Sequence, residues 1–570
     1  MFRRFLLAFP LLLLAGCTAG PDFKPPAAPV SSAYTPQSLT AQTSSADTLH
    51  GGAQHFSVAG QIPGDWWSLF QSAPLNALIE RAFKANPDIE TAQAALRSAQ
   101  QNVIAQQGFF YPTVGVSYSP SRNKLAGNMG GNSPGLQGNG TLIQTYSNPA
   151  GPNYNGPAYY NFHVAQMNIG YVPDVFGLQK RRVESAQAQE QQQQMQLQAT
   201  YITLASNLVA AAFEEASLRA QIAAVTRVIA INRENLAIMH RQLVLGYLAE
   251  IDVAAGEAAL AQAEQALPPL NKQLEQTRDL IRALAGNTPD NDVPETFELA
   301  DLHLPEELPL SLPSRLVEQR PDVRIAEEQL HDASALYGVA IANRLPQFSV
   351  QAVMGGMASS PDWMFRAGGG FFSVVGNVAQ TIFDGGTLRA QSKSAEQVLI
   401  GAAAQYRGTV IAALQNVADT LHAIESDADA LKFAAAAEQS GKKMLELTRD
   451  QYRLGYVSYQ SLLIAEQNYQ LNTLSLIQAQ AARLGDTAAL YQALGGGWWN
   501  REKAQTAAPA IKPVSLSPGS DGTTSLSTKQ PGNVRQVIGF LPLAGESEMD
   551  ALREFQVNFP ANLQQGEHAS

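Results

Sequence analysis

A single cysteine closes an apolar run near the start of this 570-residue chain: Arg3 and Arg4, then residues 5–14, then Ala15-Gly16-Cys17. That run is too short to span a bilayer as a stable helix, so 1–16 reads as a cleaved signal peptide. The chemistry left to Cys17 is acylation at a new N-terminus; a buried structural thiol is the alternative. Without a second cysteine the chain forms no internal disulfide, and stability comes from packing and assembly. The other residue types that do chemistry form no constellation. Eight histidines are scattered, without His-x-x-x-His, Cys-x-x-Cys, Gly-x-Ser-x-Gly or phosphate-loop patterns. The acid pairs Glu214-Glu215 and Glu327-Glu328 fall in helical runs, where a solvated face is the ordinary explanation. No catalytic residue, cofactor or metal ligand is expected, and the chain reads as a non-enzyme.

Composition points to surfaces of an unusual kind. Charged residues are 15% of the chain, below the ~25% of ordinary soluble proteins. The net charge of −11 offers no basic footprint, which excludes nucleic acid as a partner. Residues 17–60, rich in Pro, Ser, Thr and Ala, read as an N-terminal tether, and 500–570 as an extended, flexible tail.

Between them the chain is written twice, as repeats over 61–300 and 301–499. Asn86-Pro87-Asp88 runs to Pro112 and Arg320-Pro321-Asp322 to Pro346, each pair of prolines 25 residues apart. Phe176-Gly177 and Phe383-Asp384-Gly385-Gly386 each open a run of about 70 residues without proline. Each run closes on Leu-Gly-Tyr, at 245–247 and 454–456, and a glycine stop follows at Gly286 and at Gly495-Gly496. As single helices those runs would reach ~100 Å, far beyond what one core buries. Their polar stretches, such as the Gln-rich 187–198, require water on one side and neighbouring helices along the other. A Pro-Asp helix stacked end to end on the limb that returns from Leu-Gly-Tyr matches one long helix in length. Each chain therefore supplies about four helical columns.

Strand-like segments interrupt the helices at equivalent places: 113–119 and 161–172, then 348–354 and 371–382. Four strands cannot close a barrel, and open edges are not tolerated in lipid, so chains must share one. The expected fold is α+β: a trimeric 12-stranded β-barrel, four strands per chain, continuous with a long α-helical barrel and carrying an internal two-fold repeat. Residues 120–159, with Gly127-Asn128-Met129-Gly130-Gly131-Asn132, read as a long outer loop, and Tyr159, Tyr160, Phe162, Trp363, Phe365, Phe371 and Phe372 as an interfacial girdle or core aromatics.

Leu14-Ala15-Gly16-Cys17 looks like a bacterial lipobox, and Thr18 in place of Asp favours the outer membrane. With Gly20-Pro21-Asp22-Phe23-Lys24-Pro25-Pro26, Asp65-Trp66-Trp67-Ser68-Leu69-Phe70 and Leu312-Pro313-Ser314-Arg315-Leu316-Val317-Glu318-Gln319-Arg320-Pro321-Asp322, the chain resembles the TolC/OprM-like outer-membrane efflux proteins over about 17–499. The resemblance implies a lipid-anchored homotrimer in the outer membrane with a large periplasmic portion. It implies a periplasmic adaptor (membrane-fusion) protein and an inner-membrane pump of the resistance-nodulation-division type as partners, and passive conduction of drugs or other small solutes. It places adaptor docking at Leu245, Gly246, Tyr247, Arg453, Leu454, Gly455, Tyr456, Leu462 and Leu463. A family acid near the second tip falls here on Ile464, so Gln460, Leu463 and Ile464, with Glu250 and Asp252 of the first tip, form the candidate periplasmic constriction. A type I protein-secretion duct and a structural coiled-coil envelope lipoprotein are the alternatives.

Overall fold

The computed structural model describes residues 18–27, 33–37, 40–58, 61–124 and 159–501. The signal peptide, Cys17, the 127–132 stretch and nearly all of the tail lie outside the described residues, which belong to one unit, Met1–Ala504. In chain order its elements are β1 (His55–Val58), α1 (Ala73–Ala85), α2 (Pro87–Gly108), β2 (Thr113–Lys124), β3 (Tyr159–Tyr171), α3 (Leu178–Val244) and α4 (Glu250–Leu284). There follow β4 (Glu307–Leu310), α5 (Pro313–Gln319), α6 (Pro321–Ala342), β5 (Gln347–Ala358), β6 (Gly370–Ala379), α7 (Thr387–Arg453) and α8 (Tyr459–Ala493). The helices come in equal pairs: α2 and α6 have 22 residues, α3 and α7 have 67, and α4 and α8 have 35. Pro268 and Pro269 lie inside α4. Both are exposed, so the carbonyls left without an N–H partner can face water.

Helix packing explains the pairs. α2 packs on α3, α3 on α6 and α6 on α7; further along, α4 packs on α3, α3 on α8 and α8 on α7. This is a row of four columns, α2 with α4, then α3, then α6 with α8, then α7. The two composite columns are joined by side chains placed just before each Pro-Asp. Asn86 Nδ2 donates to Leu284 O (3.0 Å) at the end of α4, and Arg320 Nη1 donates to Ala493 O (2.8 Å) at the end of α8. Each bond satisfies one of the carbonyls that a helix C-terminus leaves open.

Glycine does two different jobs in this architecture. At Gly286 φ is +80°, and an added Cβ would lie 2.5 Å from the Ala85 carbonyl oxygen, so both backbone sign and close approach demand glycine. At Gly455 φ is +78° but the space is open. Gly455→Ala is therefore expected to cost about 1 kcal/mol from the left-handed backbone alone, and Gly286→Ala clearly more. Thermal melts of the detergent-solubilised protein compare them, and equal losses would contradict the joint at Ala85.

The core lies where the columns meet, around Trp66, Phe70, Leu208, Phe213, Leu484 and Tyr491. Trp66 stacks on Tyr491 at 5.6 Å and Phe70 meets Phe213 edge-on at 4.9 Å. The parallel pair β1–β4 lies beside it. The N-terminal segment is more closely held than a tether would be. Ala19 N donates to Phe176 O (2.9 Å), buried Arg181 donates to Ala19 O (3.0 Å) and Asp22 (2.8 Å), and Phe23 stacks on His331 at 4.2 Å. Further on, Thr40 donates to Glu425 (2.8 Å) on α7, and Arg483 on α8 donates to Gly52 O (2.7 Å). The described part of 18–58 is a strap docked along the helices.

A pair of carboxyls between α7 and α8 is sensitive to pH. Burial and the Asp486 carboxyl push Asp427 up to about 7, against the pull of Arg483. Two carboxyls can bond only through a proton, so the bond to Asp486 favours the protonated Asp427. Its contribution is complete below the ordinary carboxylate range near 4 and is lost as pH rises through about 7. Asp427→Asn, which keeps a donor, is expected to raise the melting temperature at pH 8 and leave it unchanged near pH 4. An equal effect at both pH values would contradict proton sharing.

The second sheet has the order β2-β3-β5-β6, all antiparallel. Its strands outrun the sequence expectation: β2 continues through Pro120 to Lys124, and β5 to Ala358. Pairing with β3 continues through Pro120, which lies opposite His163. The register puts Val114, Val116, Tyr118, Met167, Met354 and Phe372 on one face, and Ser117, Gln166, Asn168, Gln351, Ser373 and Asn377 on the other. The girdle divides accordingly: Phe372 lies on the apolar face, whereas Phe162 and Phe371 lie on the polar one. Tyr159 and Tyr160 open β3. Among the described residues no helix is long and apolar enough to cross a membrane.

Candidate functional site

The two hairpin tips are the same construction twice. In each, the glycine takes a left-handed backbone while paired N–H bonds close the helix: Tyr247 N to Gln242 O and Gly246 N to Leu243 O, both 2.9 Å; then Tyr456 N to Gln451 O (2.9 Å) and Gly455 N to Tyr452 O (3.0 Å). This bond pair is the Schellman closure, which glycine enters without a Cβ penalty. Its consequence is that the residues flanking the glycine are thrown outward. Leu245 and Leu454 are exposed, and Tyr247 and Tyr456 are 81% and 76% exposed. Arg453 is exposed as well.

Leu462 is different. It is 4% exposed, packed with Met239 and Val253 of the first hairpin and Leu445, Tyr459 and Ala465 of the second. Leu463 is half-buried at the edge of the same cluster. The structure thus makes Leu462 a support that holds two tips together and removes it from the exposed surface. Spacing alone could not distinguish it from its neighbour, since one position along a helix turns the side chain by ~100°.

The five constriction candidates occupy two tips that touch. Glu250, Gln460 and Ile464 are exposed, and Asp252 is half-buried. Burial and the nearby Asp252 carboxylate raise Tyr452, which carries the first hairpin's acid onto the second hairpin's tyrosine. Tyr452 also meets Tyr459, at 5.7 Å between rings. Tyr459 is pushed up to about 12 by burial, Glu466 and Tyr452. Burial raises Glu466 too, opposed by Arg449 at 3.5 Å. The Arg449–Glu466 pair escaped the sequence reading because it joins α7 to α8 across 17 residues; the pair of opposite charges flanking Gly455 was the available signal.

Comparison with known proteins gives these surfaces their context. A model of the outer membrane efflux protein family matches residues 78–287 and 312–496, well over half of the chain. The toluene efflux pump outer membrane protein TtgC of Pseudomonas putida is 25% identical over 498 residues, covering 87% of this chain and 96% of the relative. The cation efflux system protein CusC of Escherichia coli is 24% identical over 487 residues, covering 85% and 97%. The crystal structure of the Campylobacter jejuni CmeC outer membrane channel superposes with a TM-score of 0.72 at 21% identity, covering 85% of this chain and 96% of that one. With the repeated motif pair, the docked helical columns and these matches together, the chain belongs to the outer membrane efflux protein family, as the outer-membrane channel component of an efflux pump.

Proposed function

We propose that three copies form one exit duct, a 12-stranded β-barrel continuous with twelve helical columns, conducting drugs or other small solutes passively from the periplasm to the exterior. The observation that carries this reading is a pair of open edges. Among the described residues, no strand lies beyond β2 and no helix beyond the α2–α4 column on one side, and no strand lies beyond β6 and no helix beyond α7 on the other. Edges that differ from one another meet head to tail, and such a contact gives a ring when its rotation closes, which strands in lipid require because no edge can stay open there. Exposed Ile400, Ile411, Phe433 and Met444 along α7 supply apolar contact for it.

Cys17 carries the lipid anchor in this reading. Its neighbour Thr18 lies against Gly177, at the junction of β3 with α3 where the apolar strands give way to helix. Leu245, Tyr247, Leu454 and Tyr456 receive helical hairpins of an adaptor, which links the duct to an inner-membrane pump of the resistance-nodulation-division type. A photo-crosslinker at Tyr247 or Tyr456, followed by identification of the bonded protein, tests this. A periplasmic adaptor supports it, and no crosslinked partner in pump-expressing cells contradicts it.

Asp252 and Ile464 restrict the duct at the tips. Asp252→Arg removes the acid beside Tyr452, and Ile464→Ala removes exposed bulk. Each is expected to raise uptake of large antibiotics several-fold, and unchanged permeability in both would take these residues out of the gate.

A further inference from the structure

We infer that the exit barrel carries no charge filter, so that anionic, cationic and neutral solutes leave through it on equal terms; the inference rests on the barrel reading above. In a membrane barrel the apolar face of each strand meets lipid and the polar face lines the lumen. Val116, 81% exposed in the chain, marks the lipid face, and Ser117 marks the lumen. The lumen face mixes hydroxyls and amides with uncharged apolar residues such as Val164 and Val353, and its polar groups bond to each other: Gln166 Nε2 donates to Asn168 Oδ1 (2.9 Å), and Asn168 Nδ2 donates to Ser117 Oγ (3.3 Å). Across all four strands the register puts no Asp, Glu, Lys or Arg on that face. Arg122 occupies a register position of the opposite face, near the outer end of β2.

The sequence around the strands repeats the pattern. Residues 125–173 contain no Asp, Glu, Lys or Arg, where the chain's 15% would give about seven. Between Arg344 and Asp384 the only such residues are Asp362 and Arg366, which pair with one another at 4.0 Å. A lumen without fixed charge creates no focused field, and local concentrations of either sign of solute stay near those of the solution. Discrimination by charge is then left to the helical duct, its tips and the pump.

The lone cysteine makes this measurable, since an acylated Cys17 leaves Ser117→Cys as the one free thiol. Cells expressing the full chain are treated from outside with cationic and anionic methanethiosulfonate reagents of similar size. Ser117→Cys is expected to react with both, at rates within about threefold of each other after correction for their rates with a free thiol. Adding Ser119→Asp is expected to shift the ratio about tenfold toward the cation, and an unshifted ratio would overturn the placement of this wall in the lumen. A tenfold bias in Ser117→Cys alone overturns the neutral exit while leaving the barrel standing. Val116→Cys is expected to be inert; if it reacts as fast as Ser117→Cys, or if Ser117→Cys reacts with neither reagent, the barrel reading itself fails.

Discussion

Arg278→Ala is expected to lower stability by about 3 kcal/mol, near the low end of the range for breaking a buried ion pair. Arg278, near the end of α4, faces a Glu215 carboxylate with 0% exposure on α3, with N–O distances of 3.3 and 3.4 Å. It also donates to Glu295 O, Asp292 and Val293 O, each at 2.7 Å, and so folds the segment after Gly286 back onto the helices. Removing it leaves Glu215 with Arg219 alone, at 2.7 Å, which is why the loss stays at the low end. Replacing both partners with apolar residues, Glu215→Leu with Arg278→Met, should recover much of the loss, because no charge is then left buried. Thermal or denaturant unfolding of the wild type, Glu215→Leu, Arg278→Met and the double variant gives the cycle, with Arg278→Ala beside it. A double variant as unstable as Arg278→Ala would show that the fold of 287–297, and not the buried charge, dominates.

Leu245→Asp combined with Leu454→Asp is expected to abolish adaptor docking without loosening the fold. Both leucines are exposed because the glycine closures beside them turn the chain outward, so neither contributes to the cluster at Leu462. If each buries in an adaptor as an interface anchor worth ~2 kcal/mol, docking weakens by roughly a thousandfold. Crosslinking from Tyr456 should vanish and drug susceptibility should rise, while the melting temperature holds. Leu462→Asp is the contrast: its primary loss is expected in stability. Undiminished crosslinking in the leucine double variant would place docking elsewhere.

Much of this architecture was legible in the sequence because it is carried by punctuation. Pro87, Pro321, Gly246 and Gly455 mark helix starts and ends by backbone restriction, which is local, and the paired 67- and 35-residue helices follow from where they stand. The ends of β2 and β5 were not legible. Pro120 is a breaker in isolation, and only the pairing with β3 carries the strand through it. The docking of the strap was hidden for a similar reason. Its Pro, Ser and Thr content is that of a linker, whereas its bonds go to Phe176, Glu425 and Arg483, hundreds of residues away in some cases.

At the tips, the exposed residues followed from the turn chemistry, and the burial of Leu462 did not, because it depends on a second hairpin arriving beside it. Arg181 shows the same limit. In Lys180-Arg181-Arg182 it resembles a solvated basic run, yet it is 2% exposed and holds Asp22 and Glu184.

The most direct measurement is the protein mass of the full chain in detergent, by light scattering or native mass spectrometry, with the β signal followed on heating. A mass of three chains that falls to one as the strand signal is lost is the predicted result. A folded single chain in detergent, with its strand signal intact, would contradict the shared duct.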